Sequence, residues 1–200
     1  METKDIVCKQ IADSIAVKQA VLADKEICKA VEIAANAVVE AYRNGHRALL
    51  AGNGGSAADA QHIAGELVSK FYFERPAIDA VALTTNTSIL TAIGNDLGYE
   101  VLFSRQVEAM GHKGDVFIGI STSGNSKNIV KALEVCKERG IYTIGLTGES
   151  GGAMKPLCDL CIQIPSSETP RVQEAHMMIG HIICCLVEEE LFGEVKIRAR

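Results

Sequence analysis

His62 and Glu66 close the stretch Gly52-Asn-Gly-Gly-Ser-Ala-Ala-Asp-Ala-Gln-His-Ile-Ala-Gly-Glu66. Their four-residue separation puts both side chains on one face of a helix. An imidazole and a carboxylate so placed form a metal pair, an acid/base pair or an exposed salt link. Ala57, Ala58, Ala60, Ile63, Ala64 and Leu67 make the surroundings apolar, which favours a half-buried pair in need of polar partners. Gln173 and His181, in the last apolar stretch, offer them. They stand about 12 Å apart along a helix, so both reach one ion only if it lies midway. Two nitrogen and two oxygen donors suit zinc among the common ions. Spacing alone leaves the choice between a metal and no metal open.

Two loops have the chemistry to hold an anion. In the first, Gly52, Gly54 and Gly55 allow close approach of a ligand to the backbone. Ser56 is expected to cap the helix that follows, whose free N–H groups attract anions or sugar hydroxyls. In the second, Ser121-Thr-Ser-Gly-Asn-Ser126 presents four hydroxyls before another helix. A polar turn capped by Ser126 needs one hydroxyl, so the surplus at Ser121, Thr122 and Ser123 favours a phosphate. Asn95 and Asp96 form a plain turn or hold sugar hydroxyls, since together they donate and accept.

Other chemistries fit less well. Gly52-x-Gly54-x-x-Ala57 nearly matches a dinucleotide fingerprint, but the next strand ends in Ala82-Leu-Thr-Thr85 without the acid that would hold a ribose. No Gly-Lys-Ser/Thr follows either loop, which removes the Walker pattern. Cys158 and Cys161 have CxxC spacing without a second metal-binding pair. The seven cysteines read as reduced, buried thiols. His46, His112 and His176 read as solvent-facing or structural.

The positioning elements follow from hydrophobic period. Residues 4–44 are helical with a break near 23–25, ending at Asn44-Gly45. Strands are expected at 47–51, 78–83, 115–120, 141–146 and 160–164, with helices at 57–70, 86–94, 99–110, 127–139 and 170–191. Thr169 before Pro170 predicts a capped helix start. Apolar strands alternating with helices imply a parallel sheet covered on both faces. The expected architecture is α/β, a three-layer α/β/α sandwich on a five-stranded parallel sheet. One domain spans 1–200, with 1–45 a helical extension whose apolar surplus suits packing against another subunit. A net charge of −5 argues against a nucleic-acid surface. No long apolar run predicts a membrane span and no leader pattern opens the chain, so a cytoplasmic location is expected.

These motifs, with Ala92-Ile-Gly-Asn-Asp96 and Thr169-Pro-Arg-Val-Gln-Glu-x-His-x-x-x-Gly-His181, resemble the phosphoheptose isomerases of the sugar isomerase (SIS) domain family along nearly the whole chain. The resemblance implies the SIS fold and conversion of D-sedoheptulose 7-phosphate to D-glycero-D-manno-heptose 7-phosphate for bacterial surface heptoses, including lipopolysaccharide. It implies a homotetramer with one zinc ion per subunit on His62, Glu66, Gln173 and His181. It also implies substrate contacts at Asn53, Gly54, Gly55, Glu66, Asn95, Asp96, Ser121, Thr122, Ser123, Ser126 and Gln173, with Ser56 beside them. Glu66 and His181 are the expected proton-transfer groups. Pro170 stands where some members carry an acid. Relatives that serve as tetrameric platforms for a replication initiator are the alternative, but a platform has no need of all four polar side chains.

Overall fold

Ala48-Leu-Leu-Ala-Gly52 carries no charge because both of its faces are covered. It forms the inner strand β1 (Ala48–Gly52), every residue of which is buried. The computed structural model describes residues 3–198, with side chains through residue 193. The other strands are β2 (Ala80–Ala82), β3 (Val116–Ser121), β4 (Tyr142–Thr147) and β5 (Leu160–Gln163). All neighbouring pairs are parallel, in the order β2-β1-β3-β4-β5. Ala48 and Leu50 point to one face and Leu49 and Ala51 to the other, as the period of two requires. Each buried leucine there contributes roughly 2 kcal/mol.

The first face is covered by α2 (Lys25–Arg43), α3 (Gly55–Val68) and α7 (Thr169–Arg198). The second is covered by α5 (Ser104–Met110) and α6 (Lys127–Arg139), with α4 (Thr87–Asp96) at its margin. The expected three-layer sandwich is therefore present. Its helical front divides in two. Val31, Ala34, Ala35, Val38 and Val39 bury α2 in the core, so this helix is a layer of the sandwich rather than an extension. By contrast α1 (Thr3–Ala23) buries only Val21 and leaves Ile6, Val7, Ile11 and Ile15 exposed. Asp24 divides the two helices by accepting from the amides of Glu26 and Ile27 at 2.9 and 3.2 Å, which caps α2.

Several boundaries differ from the sequence reading. Ser56 does not cap α3: Gly54, at φ +55°, precedes the helix, and Ser56 is buried inside the first turn. The expected 99–110 helix is a short 3₁₀ turn at Tyr99–Val101 followed by α5. The second strand shrinks to three residues at the sheet edge. The cysteines are all free, but only Cys136 and Cys184 are buried; Cys8 and Cys28 are exposed on α1 and α2. Helical spacing does not say which apolar stripe meets the core, and the stripe carrying Cys8 stays exposed.

Candidate functional site

The strand order reverses between β1 and β3, and in open parallel sheets a ligand crevice forms at that switch, beyond the carboxyl ends. Gly52 pairs with Ile120 across it. The two polar loops consequently face one another. Asn53, Gly54, Gly55, Ser56, Ser121, Thr122, Ser123 and Ser126 line a single cleft of 340 Å³, together with Ile120, Thr169 and Gln173. Among the described residues none of those lining it is cationic. A phosphate there would depend on hydroxyls and on the N-termini of α3 and α6.

The second loop is built to present its hydroxyls. Ser121 Oγ and Ser126 Oγ are 2.8 Å apart, and the Ser126 side chain makes no capping bond to α6. Gly124, at φ +67°, lies so close to the Gly151 carbonyl that a side chain has no room. Asn125 Oδ1 accepts from the Ala153 amide at 2.9 Å and ties the loop down. In the first loop, a Cβ on Gly55 would fall 2.5 Å from Gln173 Nε2. That glycine is what lets α7 bring Gln173 to the cleft wall. Asn53 turns its amide to Asn128, which donates to Asn53 Oδ1 at 2.8 Å, and Tyr99 donates to the same oxygen at 2.8 Å.

On α3 and α7 three side chains converge. His62 Nε2 lies 3.0 Å from Glu66 Oε1 and 3.2 Å from His181 Nε2. The two rings meet edge to face with centroids 5.0 Å apart. One nitrogen thus faces both a carboxylate and a second imidazole nitrogen, although it can carry only one proton. All three ligand atoms fall within 4.8 Å of one another. Three ligand atoms this close can share a small cation, and two nitrogens with a carboxylate oxygen suit zinc. Gly180 allows the approach of the helices: a Cβ there would fall 2.6 Å from Ile63 Cδ1.

Asn95 and Asp96 are not brought to the cleft within one chain. They end α4, bonded to each other at 2.6 Å. Asp96 borders a different hollow of 710 Å³ with Arg105, Gln106 and Arg139. His176 is fully buried and meets the Thr147 carbonyl at 3.1 Å. Burial pulls its pKa down to about 4, against that hydrogen bond. His112 is exposed and His46 half-buried, so all three remain outside the site. Cys161, hydrogen-bonded by Cys158, is lowered to about 7.

Sequence reasoning missed Asp59, Thr169 as a cleft residue, Asn128 and Tyr99. Burial pushes Asp59 up to about 6, opposed by His62, and its Oδ2 has no hydrogen-bond partner. Its spacing, three residues before His62, was the available signal.

The SIS domain family model matches residues 11–148. The chain is 68% identical to phosphoheptose isomerase 2 of Campylobacter jejuni, over 92% of this chain and 91% of that protein. It is 64% identical to the phosphoheptose isomerase of Aneurinibacillus thermoaerophilus, over 94% and 95%. The solved phosphoheptose isomerase of Neisseria gonorrhoeae superposes with a TM-score of 0.88 at 40% identity, covering 94% of this chain and all of that one.

Proposed function

The chain belongs to the SIS domain family and, within it, to the phosphoheptose isomerases; from that premise we propose how its residues convert D-sedoheptulose 7-phosphate to D-glycero-D-manno-heptose 7-phosphate. One observation carries the reading: Glu66, His62 and His181 converge on helices that also wall a hydroxyl-rich cleft.

Ser121, Thr122, Ser123 and Ser126 receive the phosphate, with the backbone of Gly54, Gly55 and Ser56. Remote binding of this kind provides the energy that orients the reacting carbons. Asn53 and Gln173 hold sugar hydroxyls. The family resemblance adds Asn95 and Asp96, which would need a neighbouring subunit to reach a cleft. Glu66 takes the proton from C1 of the open-chain ketose. The electron pair of that C–H bond becomes the C1–C2 double bond, and the C2 carbonyl becomes an enediolate oxygen. His181 moves the O1 proton to O2, and Glu66, whose carboxyl proton exchanges with solvent, protonates C2, leaving the carbonyl on C1. A placed general base contributes about 10²–10⁴-fold.

His62, Glu66, Gln173 and His181 would hold one zinc ion per subunit, which when bound supplies positive charge to polarise the sugar oxygens. Glu66 cannot hold the ion and take a proton with the same lone pair at the same instant. Metal removal therefore separates a catalytic ion from a structural one.

The exposed apolar residues of α1 support packing against another subunit, and the family resemblance makes that assembly a homotetramer. Among the described residues no helix is long and apolar enough to cross a membrane; the reading is a cytoplasmic enzyme, and its acidic net charge supports one that does not bind nucleic acid. Its product would feed bacterial surface heptose, including lipopolysaccharide.

Incubation of the purified protein with sedoheptulose 7-phosphate in D₂O tests the reaction. The expected product, read by NMR, is the heptose phosphate with deuterium at C2. Deuterium at C2 would exclude a hydride shift, and protium retained at C2 would overturn a transfer that exchanges with solvent. A folded protein without turnover would overturn the isomerase and leave the platform role.

A further inference from the structure

A buried ion pair lies directly behind the three converging side chains. Arg75 and Glu188 have side chains 1% and 0% exposed, with Nε and Oε1 3.1 Å apart. Neither lines the cleft. The Arg75 fork is spent on the end of α3. Its Nη2 donates to the Glu66 carbonyl at 2.9 Å, and its Nη1 donates to the carbonyls of Leu67, Ser69 and Pro76 at 2.7, 3.2 and 3.0 Å. Helix ends leave such carbonyls without amide partners, and a cation suits them.

Glu188 stands on α7, two helical turns beyond His181. Its Oε1 accepts from the Phe71 amide at 2.8 Å and its Oε2 from the Tyr72 amide at 2.6 Å. The Phe71 ring then packs against the His181 ring, centroids 5.6 Å apart. One ion pair thus grips the backbone of Glu66 at one end and, at the other, the segment that rests on His181.

Stability alone is a poor reason for such a pair, because desolvation consumes much of the attraction and apolar residues fill the same space as well. What apolar residues lack is direction. A guanidinium fork fixes the carbonyls it binds in distance and in plane.

We propose that Arg75 and Glu188 are positioning residues for the isomerisation, holding the Glu66 end of α3 and the Phe71 segment in register with His181 on α7. This rests on the roles given above to Glu66 and His181.

Three variants test it. Arg75→Lys keeps the charge and loses the fork. Glu188→Gln keeps the shape and loses the charge. Phe71→Leu leaves the bonds to Glu188 in place and removes the ring from His181. The first two should lower kcat about 10- to 100-fold, since small misplacement of reacting groups has effects of that size. Phe71→Leu should lower it about threefold. KM for the sugar phosphate should stay within about twofold in all three, because the cleft is untouched.

In metal-free protein, the imidazole ¹⁵N signals of His62 and His181 should move in each variant while those of His46 and His112 stay. Folded variants with wild-type kcat and unmoved histidine signals would overturn the proposal, as would a lower melting temperature with unchanged kcat per folded molecule. If the first two variants do not fold, Phe71→Leu decides by the same readings. Absence of turnover in the wild type would remove the assigned reaction, and the histidine signals would still decide whether the pair positions them.

Discussion

Replacing Gly180 by alanine sets two opposite effects against each other at the helix crossing. In a helix interior alanine is favoured over glycine by about 1 kcal/mol. Here the added Cβ would fall 2.6 Å from Ile63 Cδ1 and 2.8 Å from Cγ1, and Ile63 is buried at 1% exposure. Overpacking of this kind costs about 1–3 kcal/mol. The steric cost wins, and the net expectation is a loss of about 1 kcal/mol, lowering Tm by about 2–4 °C for a chain of this size. The functional effect is larger than the thermodynamic one. Ile63 follows His62 and Gly180 precedes His181, so relief of the clash separates the two rings now 5.0 Å apart. A fall in kcat of about tenfold is expected. Removing the Ile63 side chain beyond Cβ as well, in Gly180→Ala/Ile63→Ala, should restore turnover per folded molecule although it adds a cavity cost of about 2–5 kcal/mol. Thermal melts and steady-state kinetics on the same preparations provide both numbers. A Gly180→Ala protein that melts higher than wild type with unchanged kcat would refute the reasoning.

Three further outcomes are expected. Ser126→Ala removes a hydroxyl 2.8 Å from Ser121 and one of the donors proposed for the phosphate; KM should rise about 10- to 100-fold with kcat nearly unchanged, since a hydrogen bond to a charged group contributes about 1.5–3 kcal/mol. His176 takes up a proton near pH 6.5 when unfolded but only near pH 4 when folded. Stability should therefore fall as pH drops through that window, by up to on the order of 3 kcal/mol, and His176→Gln should flatten the fall in denaturant titrations. Turnover before and after chelation, with elemental analysis, should show activity lost with the zinc and regained on its return; full activity without metal would make the ion structural.

How far this was legible in the sequence depends on range. The glycine and hydroxyl loops were readable because each states its chemistry within a few consecutive residues, and the parallel sheet fixes where their strand ends must meet. His62 with Glu66 was readable because helical spacing is local; of the two side chains read from the last helix, His181 joins that pair and Gln173 lines the cleft. The start of α3 was misread because a serine looks like a cap by its side chain, whereas Gly54 turns the chain by backbone conformation. Arg75 and Glu188 were invisible for a different reason. Glu188 opens the run Glu188-Glu-Glu190, which reads as a solvated helix end, and nothing local marks its first member as the one facing inward. Asn95 and Asp96 show the converse: the motif is legible, yet within one chain the pair stands apart from the cleft.

Exchange of the C1 hydrogen of sedoheptulose 7-phosphate with solvent deuterium, compared between wild type and Glu66→Gln, reaches the proposed proton transfer itself. The wild type should label C1, and Glu66→Gln should still bind the sugar phosphate while its labelling rate falls by about 10²–10⁴-fold. Labelling at the wild-type rate by a folded, ligand-bound Glu66→Gln protein would contradict the assignment of this carboxylate as the base.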